Sequence, residues 1–528
     1  MEVELIRTLQ YCRMIKRTVR FFPSGKVVEL DTVQKIAYAA KLADIEIKLP
    51  CGGKGRCGRC GVYVSDTPAD GSEPNPIGME RVLACMHDIT KDIDVFVPYD
   101  EFGRIVAGED KRRVYDGEIV PIVKARGKTQ LGLAVDLGTA AIAISIIDLK
   151  TGYELYSTVG DNPQSFAGDD LESRRAYADK MGGDVLRKAA IDEINDLMYT
   201  FVRSPDDVKT AVISGKPYLM ESLTEVCSMT GGPFCLGGSE LGLDMAKDAP
   251  TYCVKELSAD VGGDLIGGIL ACDMDNSDET ILLIDIGSTV QLALGDKNSV
   301  LVCSSESGPA LEGGNVTFGM TPSIGAIDSV SFKRKHISYT VIGGTPPTGI
   351  CGSGLIDLVS QMFLNGFIDA KGKFTKKAKT IDSENGKAYG ITERIYITES
   401  DVSEVMKAKS AVCAGIYTLL NEANIAMDDV SRIVLSGSFG IFINADNAIS
   451  LGMLPDVDRD KFNYLGNASM TYARNAMLSE DIRNRAEAVR KIVKPINFGN
   501  GLHGDEYKSI CPMSEKDTLG SKLKRRLF

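Results

Sequence analysis

Two stretches of this 528-residue chain repeat one pattern about 150 residues apart: LGLAVDLGTAAIAISIIDLKTG at 131–152 and ILLIDIGSTVQLALGD at 281–296. Each runs an apolar strand into an aspartate, turns through D-x-G with a hydroxyl residue next, and returns as a second apolar strand. A second pair follows suit. DVKTAVISG at 207–215 and DVSRIVLSG at 429–437 each read as a buried strand ending in a glycine turn ahead of a helix. A chain that carries hairpin, helix, strand and helix twice is expected to fold as two α/β lobes.

Two such lobes have the layout of the actin, sugar kinase and Hsp70 superfamily, in which ATP lies between ribonuclease-H-like halves. Each D-x-G turn can present backbone N–H groups and a hydroxyl to phosphates: Gly138 and Thr139 in the first copy, Gly287, Ser288 and Thr289 in the second. Asp136 and Asp285 are the candidate catalytic residues, holding Mg2+ directly or through water. Asp136, Asp285, Asp264 and Glu312 all remain eligible as the base that activates water. In VLSGSFGIFI, Gly437, Ser438 and Gly440 stand at a strand-to-helix turn where a missing Cβ lets backbone lie against adenosine. In TGICGSGLIDLV, Gly352, Ser353 and Gly354 open a helix that could touch phosphate or serve as an interlobe hinge.

A different chemistry stands at the N-terminus. Cys51, Cys57 and Cys60 lie in LPCGGKGRCGRCGVYV and Cys85 in VLACMHDI, a C-x5-C-x2-C pattern with a distant fourth cysteine. Glycines between the thiolates let backbone N–H groups reach sulfur, and Lys54, Arg56 and Arg59 offset negative charge, as a [2Fe-2S] cluster requires. Structural zinc prefers two separated C-x2-C knuckles, and one is present. Around the cysteines, TVRFFPSGKVVEL reads as a hairpin turning at Ser24 and Gly25. A helix should then bury Val33, Ile36, Ala37 and Ala40, with strands at 62–64 and 93–97. That order is the plant-type ferredoxin order, which has four rather than five residues between its first two cysteines.

A net charge of −12 without clustered basic residues argues against a nucleic-acid partner. The absence of a long apolar run argues against a membrane one, and the chain is expected to be cytoplasmic. His87, His336 and His503 have no companions at ligand spacing, so no catalytic metal site of the histidine type is expected. No D-x-H-x-x-G stretch occurs, so a corrinoid, if one is involved, belongs to a partner. Cys227, Cys235, Cys253, Cys272, Cys303, Cys351 and Cys413 read as small core hydrophobes.

From about Val19 to about Leu478 the chain resembles the reductive activators of corrinoid-dependent enzymes. The marks are PCGGKGRCGRC, DNPQSFAGDDLESR, VGGDLIGG, the D-x-G hairpins, ESGPALEGGNVTFGM, GICGSGLIDL, SGSFG and LGNASMTYARNAML in one order. The resemblance implies ATP-dependent return of a methyltransferase system's corrinoid protein from Co(II) to Co(I), with an upstream low-potential electron donor. It also implies cluster ligation by Cys51, Cys57, Cys60 and Cys85, a nucleotide role for the Asp285 turn, and homodimerisation. Two departures stand out. D-I-G-T-N-G-E is expected where the chain has Asp285 to Gln291 as DIGSTVQ, and threonines are expected where Ala140 and Ala141 follow Thr139. The competing readings are an activator of another low-potential enzyme and a nucleotide-binding redox sensor without turnover. The expected division is a β-grasp ferredoxin-like domain at 1–98, a linker at 99–128, a first lobe at 129–275 from which a middle domain near 129–205 can be cut, and a second lobe at 276–528.

Overall fold

The computed structural model describes residues 16–22, 25–43, 45, 47, 61–66, 80–97, 118–123, 130–168, 171–216, 218–220, 234–235, 237–258, 260–323, 325–333, 336–342, 345–437 and 442–496. Two compact units divide the chain, Met1–Glu101 with Asp110–Arg112, and Phe102–Glu109 with Arg113–Phe528.

In the first unit, β1 (Arg17–Phe22) and β2 (Lys26–Leu30) form the expected hairpin, followed by α1 (Ile36–Leu42), β3 (Gly61–Asp66), β4 (Glu80–Leu83) and β5 (Ile93–Phe96). The sheet order is β2-β1-β5-β3-β4, with β1 and β5 parallel at its centre. This is a β-grasp. Its helix buries Ile36, Ala39 and Ala40, whereas Val33 is exposed, against the expectation. Lys35 is still extended, so Val33 lies outside the helix and the buried stripe starts one turn later. Across the central pair, Arg20 grips Asp94 through Nε–Oδ1 at 2.7 Å and Nη2–Oδ2 at 2.6 Å, a bidentate bond to a fully buried carboxylate.

The second unit contains two sheets of one design. The first comprises β6 (Leu131–Leu137), β7 (Ala141–Asp148), β8 (Glu154–Asp161), β9 (Val208–Gly215), β10 (Phe234–Cys235) and β11 (Thr251–Cys253), with α2 (Leu171–Met181) and α3 (Asp184–Tyr199) in the β8–β9 crossover. After α4 (Asp264–Ala271), the second repeats the plan with β12 (Ile281–Asp285), β13 (Thr289–Asp296) and β14 (Ser299–Glu306). Inserted next are a sheet of β15 (Ala326–Lys333), β16 (His336–Val341) and β17 (Gly349–Ile350), helix α5 (Gly352–Leu364), and a sheet of β18 (Thr380–Ser383), β19 (Gly386–Gly390) and β20 (Tyr396–Thr398). The chain continues through α6 (Glu399–Ala423), β21 (Arg432–Ser436), α7 (Ala445–Leu451), β22 (Phe462–Gly466), α8 (Ala468–Leu478), α9 (Glu480–Ile492) and β23 (Val493–Pro495).

The sheets run β10-β11-β9-β6-β7-β8 and β22-β21-β12-β13-β14-β23. In each, an antiparallel three-stranded meander joins parallel strands through its first strand, the ribonuclease-H-like order. The doubled hairpins are β6–β7 and β12–β13, and the doubled buried strands are β9 and β21.

Helices α4 and α8 share one core with both sheets, packing with Ala134 and Val212 of the first and with Leu283, Ala293 and Val434 of the second. Gly267 and Gly268 allow that approach, because a Cβ would lie 2.4 Å from the Ala468 carbonyl or 2.5 Å from a Leu283 methyl. Late in the chain though it is, α8 is tied to the first sheet by Arg474. Its Nη2 donates to Glu154 Oε1 at 2.6 Å and its Nε to Ser145 Oγ at 3.1 Å, with both charged side chains buried. Cys253, Cys272, Cys303 and Cys351 are buried, as expected of core cysteines. Among the described residues, no helix is long and apolar enough to cross a membrane.

Removing one member of the buried Arg474–Glu154 pair takes from the other its opposite charge at 2.6 Å. Arg474→Met should cost about 3–5 kcal/mol in urea denaturation, and Arg474→Met/Glu154→Leu should recover most of that loss.

Candidate functional site

The two aspartates of the doubled turns end equivalent strands beside equivalent serines. Asp136 of β6 pairs in register with Ser214 of β9, and Asp285 of β12 with Ser436 of β21. Each turn therefore sits where its lobe's parallel strands end, the place where open α/β sheets bind ligands.

Around this doublet other residues converge. Lys216 follows Gly215 directly after β9. Its Nζ lies 3.0 Å from Asp264 Oδ2 and 3.3 Å from Asp285 Oδ2, joining the first-lobe strand end to an aspartate of the second lobe. Burial works to lower its pKa, but the Asp264 and Asp285 carboxylates outweigh burial and raise it, so the ammonium stays charged. Asn467 caps α8 through Oδ1, which accepts from Met470 N, while its Nδ2 donates to Asp136 Oδ2 at 2.7 Å. Ser469 Oγ lies 2.9 Å from Ser214 Oγ.

In the second copy, Ser288 N donates to Glu312 Oε1 at 2.9 Å, and Thr289 Oγ1 bonds Glu306. Burial, first of all, raises the Glu312 carboxyl. Gln291 stands where the family pattern has glutamate and is fully buried. It donates to Asp264 Oδ2 at 2.8 Å and accepts Gly262 N at 2.7 Å, so an amide satisfies two neighbours where a carboxylate would face Asp264.

Asp136 is also under electrostatic strain. Burial above all, with the nearby charges of Asp264 and Asp285, pushes its carboxyl up to about 6. Three carboxylates (Asp264, Asp285 and Glu312) thus act on one ammonium, with Asp136 in electrostatic reach of two of them, an excess of negative charge that suits a cation. Three buried polar atoms at the site have no hydrogen-bond partner: Thr139 Oγ1 and Ser288 Oγ of the two turns, and Glu312 Oε2 from the segment after β14. Unpartnered buried hydroxyls at two phosphate-type turns are what an absent phosphate ligand would leave behind. Among the described residues no three Asp, Glu, His or Cys side chains converge on one metal position. Mg2+ needs only one or two carboxylates, with water and phosphate oxygens as its other ligands.

The remaining sequence candidates fall differently. Gly437 follows β21 at φ +112°, and a Cβ there would stand 2.4 Å from the Ile286 carbonyl, so glycine is required beside the Asp285 turn. Ser438 and Gly440 lie outside the described residues, as do Cys51, Cys57 and Cys60. Gly352 and Ser353 are turned to packing. A Cβ on Gly352 would meet the Leu311 carbonyl at 2.2 Å, and Ser353 Oγ donates to the Asp328 carbonyl at 2.8 Å. The α5 start therefore seats the segment carrying Glu312, and the Ser353 hydroxyl is already engaged. Cys85 is buried in the turn after β4, where the Ala84 carbonyl accepts from Ala37 N of α1 at 2.9 Å. That turn holds the Cys85 side chain in the core of the β-grasp.

Lys216 and Asn467 were missed by sequence reasoning, and Gln291 was noted there only as a departure from the expected turn. A signal existed for Lys216: aligning the two I/L-S-G endings sets it against Ser438, a difference between copies at a site where lobes meet.

Fold and site define a two-lobed nucleotide-binding body of the actin and sugar kinase type behind a ferredoxin-like module. The family described as the C-terminal, ASKHA domain of RACo matches residues 279–511, and that described as the RACo middle region matches 131–277. The 2Fe-2S iron-sulfur cluster binding domain matches 20–90. The chain belongs to the RACo family of reductive corrinoid activators. It is 24% identical to the corrinoid activation enzyme RamQ of Eubacterium limosum, over 89% of this chain and 95% of that protein. It is 26% identical to the [Co(II) methylated amine-specific corrinoid protein] reductase of Methanosarcina barkeri, over 69% of this chain and 72% of that one. A solved reductive activator for corrinoid, iron-sulfur protein aligns at TM-score 0.69 and 26% identity, covering 93% of this chain and 97% of its own.

The buried Asp136 makes a pH-dependent stability test. Its carboxyl titrates near 3.8 unfolded and near 6 folded, so the folded chain holds the extra proton between those values. Stability is thus lost as pH rises from about 4 to about 6 and stays lowered above. Asp136→Asn should stabilise the nucleotide-free protein by about 3 kcal/mol at pH 7.5 and by well under about 1 kcal/mol at pH 4 in denaturant titrations. An equal gain at both pH values would contradict the buried-acid account.

Proposed function

We propose that this chain reactivates a corrinoid protein of a methyltransferase system by ATP-dependent one-electron reduction of Co(II) to Co(I). One observation carries the reading: in one chain, a β-grasp module with a buried fourth cysteine precedes a cleft in which each of two D-x-G turns holds a buried hydroxyl without a hydrogen-bond partner, near buried carboxylates. Both curated relatives are named for action on corrinoid proteins, which favours this client over another low-potential enzyme and over a sensor without turnover.

Cys51, Cys57, Cys60 and Cys85 would hold a [2Fe-2S] cluster, which when bound would supply single electrons at low potential drawn from an upstream donor. In the body, Thr139 and Ser288 donate their hydroxyls to phosphate oxygens. Asp136 and Asp285 hold Mg2+ directly or through water, while Lys216 neutralises the remaining negative charge. Gly437, with Ser438 and Gly440, lies against adenosine. The cation would ease the burial penalty on Asp136 and favour its ionised form.

Nucleotide is needed because reduction of Co(II) is uphill from ordinary donors. For one electron about 59 mV corresponds to about 1.4 kcal/mol, so a gap of about 240 mV needs about 5.5 kcal/mol. A shift of that size corresponds to binding one state of the corrinoid protein about 10⁴-fold more tightly than the other. Lobe closure on ATP, reset by hydrolysis, would supply that difference by favouring the complex in which a cobalt ligand is displaced and Co(I) forms more easily.

The test uses full-length protein purified without oxygen, reduced, and mixed with a Co(II) corrinoid carrier from the same cell. Co(I) absorption should rise only with ATP, and Cys57→Ser should abolish the rise while leaving nucleotide binding intact. Equal Co(I) yield and equal complex affinity with and without ATP would overturn the reading.

A further inference from the structure

The stretch DNPQSFAGDDLESR at 161–174 touches the first phosphate turn on all three of its carbonyls. Asn162 Nδ2 donates to the Gly138 carbonyl at 2.8 Å, Arg174 Nη2 to the Thr139 carbonyl at 2.8 Å, and Asn162 N to the Ala140 carbonyl at 2.8 Å. Arg174 is 1% exposed and Asn162 is equally buried. The guanidinium is itself braced, with Nε donating to the Gly168 carbonyl at 2.9 Å and Nη1 to Gln164 Oε1 at 3.3 Å. Gln164 in turn donates to the Leu186 carbonyl of α3 at 2.9 Å, and Asn162 Oδ1 accepts from Gln164 N.

A turn of three residues could be held by its own strands. What this arrangement adds is a fixed backbone at Thr139, whose Oγ1 is buried and without a partner, and a full positive charge one hydrogen bond from the turn. Both favour an anion bound there. The second copy is held otherwise: Ser307 Oγ bonds the Gly287 and Ser288 carbonyls at 2.6 and 2.7 Å, and no cation takes part in those bonds. The two turns thus differ in the charge behind them.

We propose that Arg174, with Asn162, is a positioning residue for phosphate recognition, acting through the Thr139 carbonyl to present the Thr139 hydroxyl to a phosphate of ATP. This rests on the nucleotide reading of the cleft.

The experiment is a double-mutant cycle on full-length protein, with MgATP affinity measured by calorimetry and folding followed by thermal melts. Arg174→Lys keeps the charge but loses the fork, Thr139→Val removes the hydroxyl at constant shape, and Asn162→Asp keeps the cap while losing the donor to Gly138. Each single change should weaken MgATP binding about tenfold. Arg174→Lys/Thr139→Val should be no more than about twofold weaker than Thr139→Val, because both act through one hydroxyl. Affinities that multiply to about a hundredfold loss, or wild-type affinity in a folded Arg174→Lys, would overturn the proposal. Should Arg174→Lys fail to fold, Asn162→Asp takes its place in the same cycle with Thr139→Val, and the same two outcomes decide. Wild-type protein that binds no MgATP would refute the nucleotide reading and this inference together, whereas wild-type binding with undiminished variants refutes this inference alone.

Discussion

The ammonium of Lys216 is the contact on which the cleft depends. Asp264 and Asp285 come from different elements and would repel each other in a buried setting, where unlike water the surroundings screen charge poorly. A single cation between them makes their approach tolerable and joins the end of a first-lobe strand to the first strand of the second sheet. The same cation does not offset every carboxyl there, since Asp136 and Glu312 are buried as well and burial raises both. The cleft is therefore stable enough to form and still unsatisfied enough to bind, the combination expected of a functional site held by a rigid scaffold.

Around that contact, the lobes are linked by elements whose order in the chain disguises their place in the fold. Helix α8 leaves the second sheet and packs on the first, where Asn467 both caps the helix and bonds Asp136. A shift of α8 must move a partner of the first aspartate. Helix α4 carries Asp264 at its start and the two glycines that let it fit between α8 and β12. Two helices in the interlobe core thus report directly on carboxylates of the cleft, a geometry through which nucleotide state can alter the relation of the lobes.

How much was legible follows from what kind of information each part needed. The ferredoxin-type order and the doubled hairpins were readable because strand alternation, D-x-G turns and cysteine spacing are local patterns. Helix α1 was placed correctly but its buried face was shifted, since periodicity does not say where the first helical residue lies. Gly352 and Ser353 illustrate a deeper ambiguity. A glycine-rich helix start serves equally for phosphate binding or for close packing, and only the neighbouring Leu311 and Asp328 carbonyls decide between them. The departure at Gln291, which looked like the loss of a carboxylate, is instead a match to Asp264 and Gly262, both distant in sequence.

By itself the sequence determined the two lobes, the ferredoxin-like module and the aspartates of the turns, because each is written in a repeat of period two, a turn of three residues or a short ligand spacing. Only the tertiary structure decided that Lys216, Asp264, Gln291, Glu312 and Asn467 share the cleft and that Arg174 stands behind Thr139. Those meetings join residues from 24 to more than 300 positions apart. No local pattern encodes them; they arise when sheets twist and helices pack, and electrostatics in the resulting low-dielectric cleft then fixes which groups stay charged.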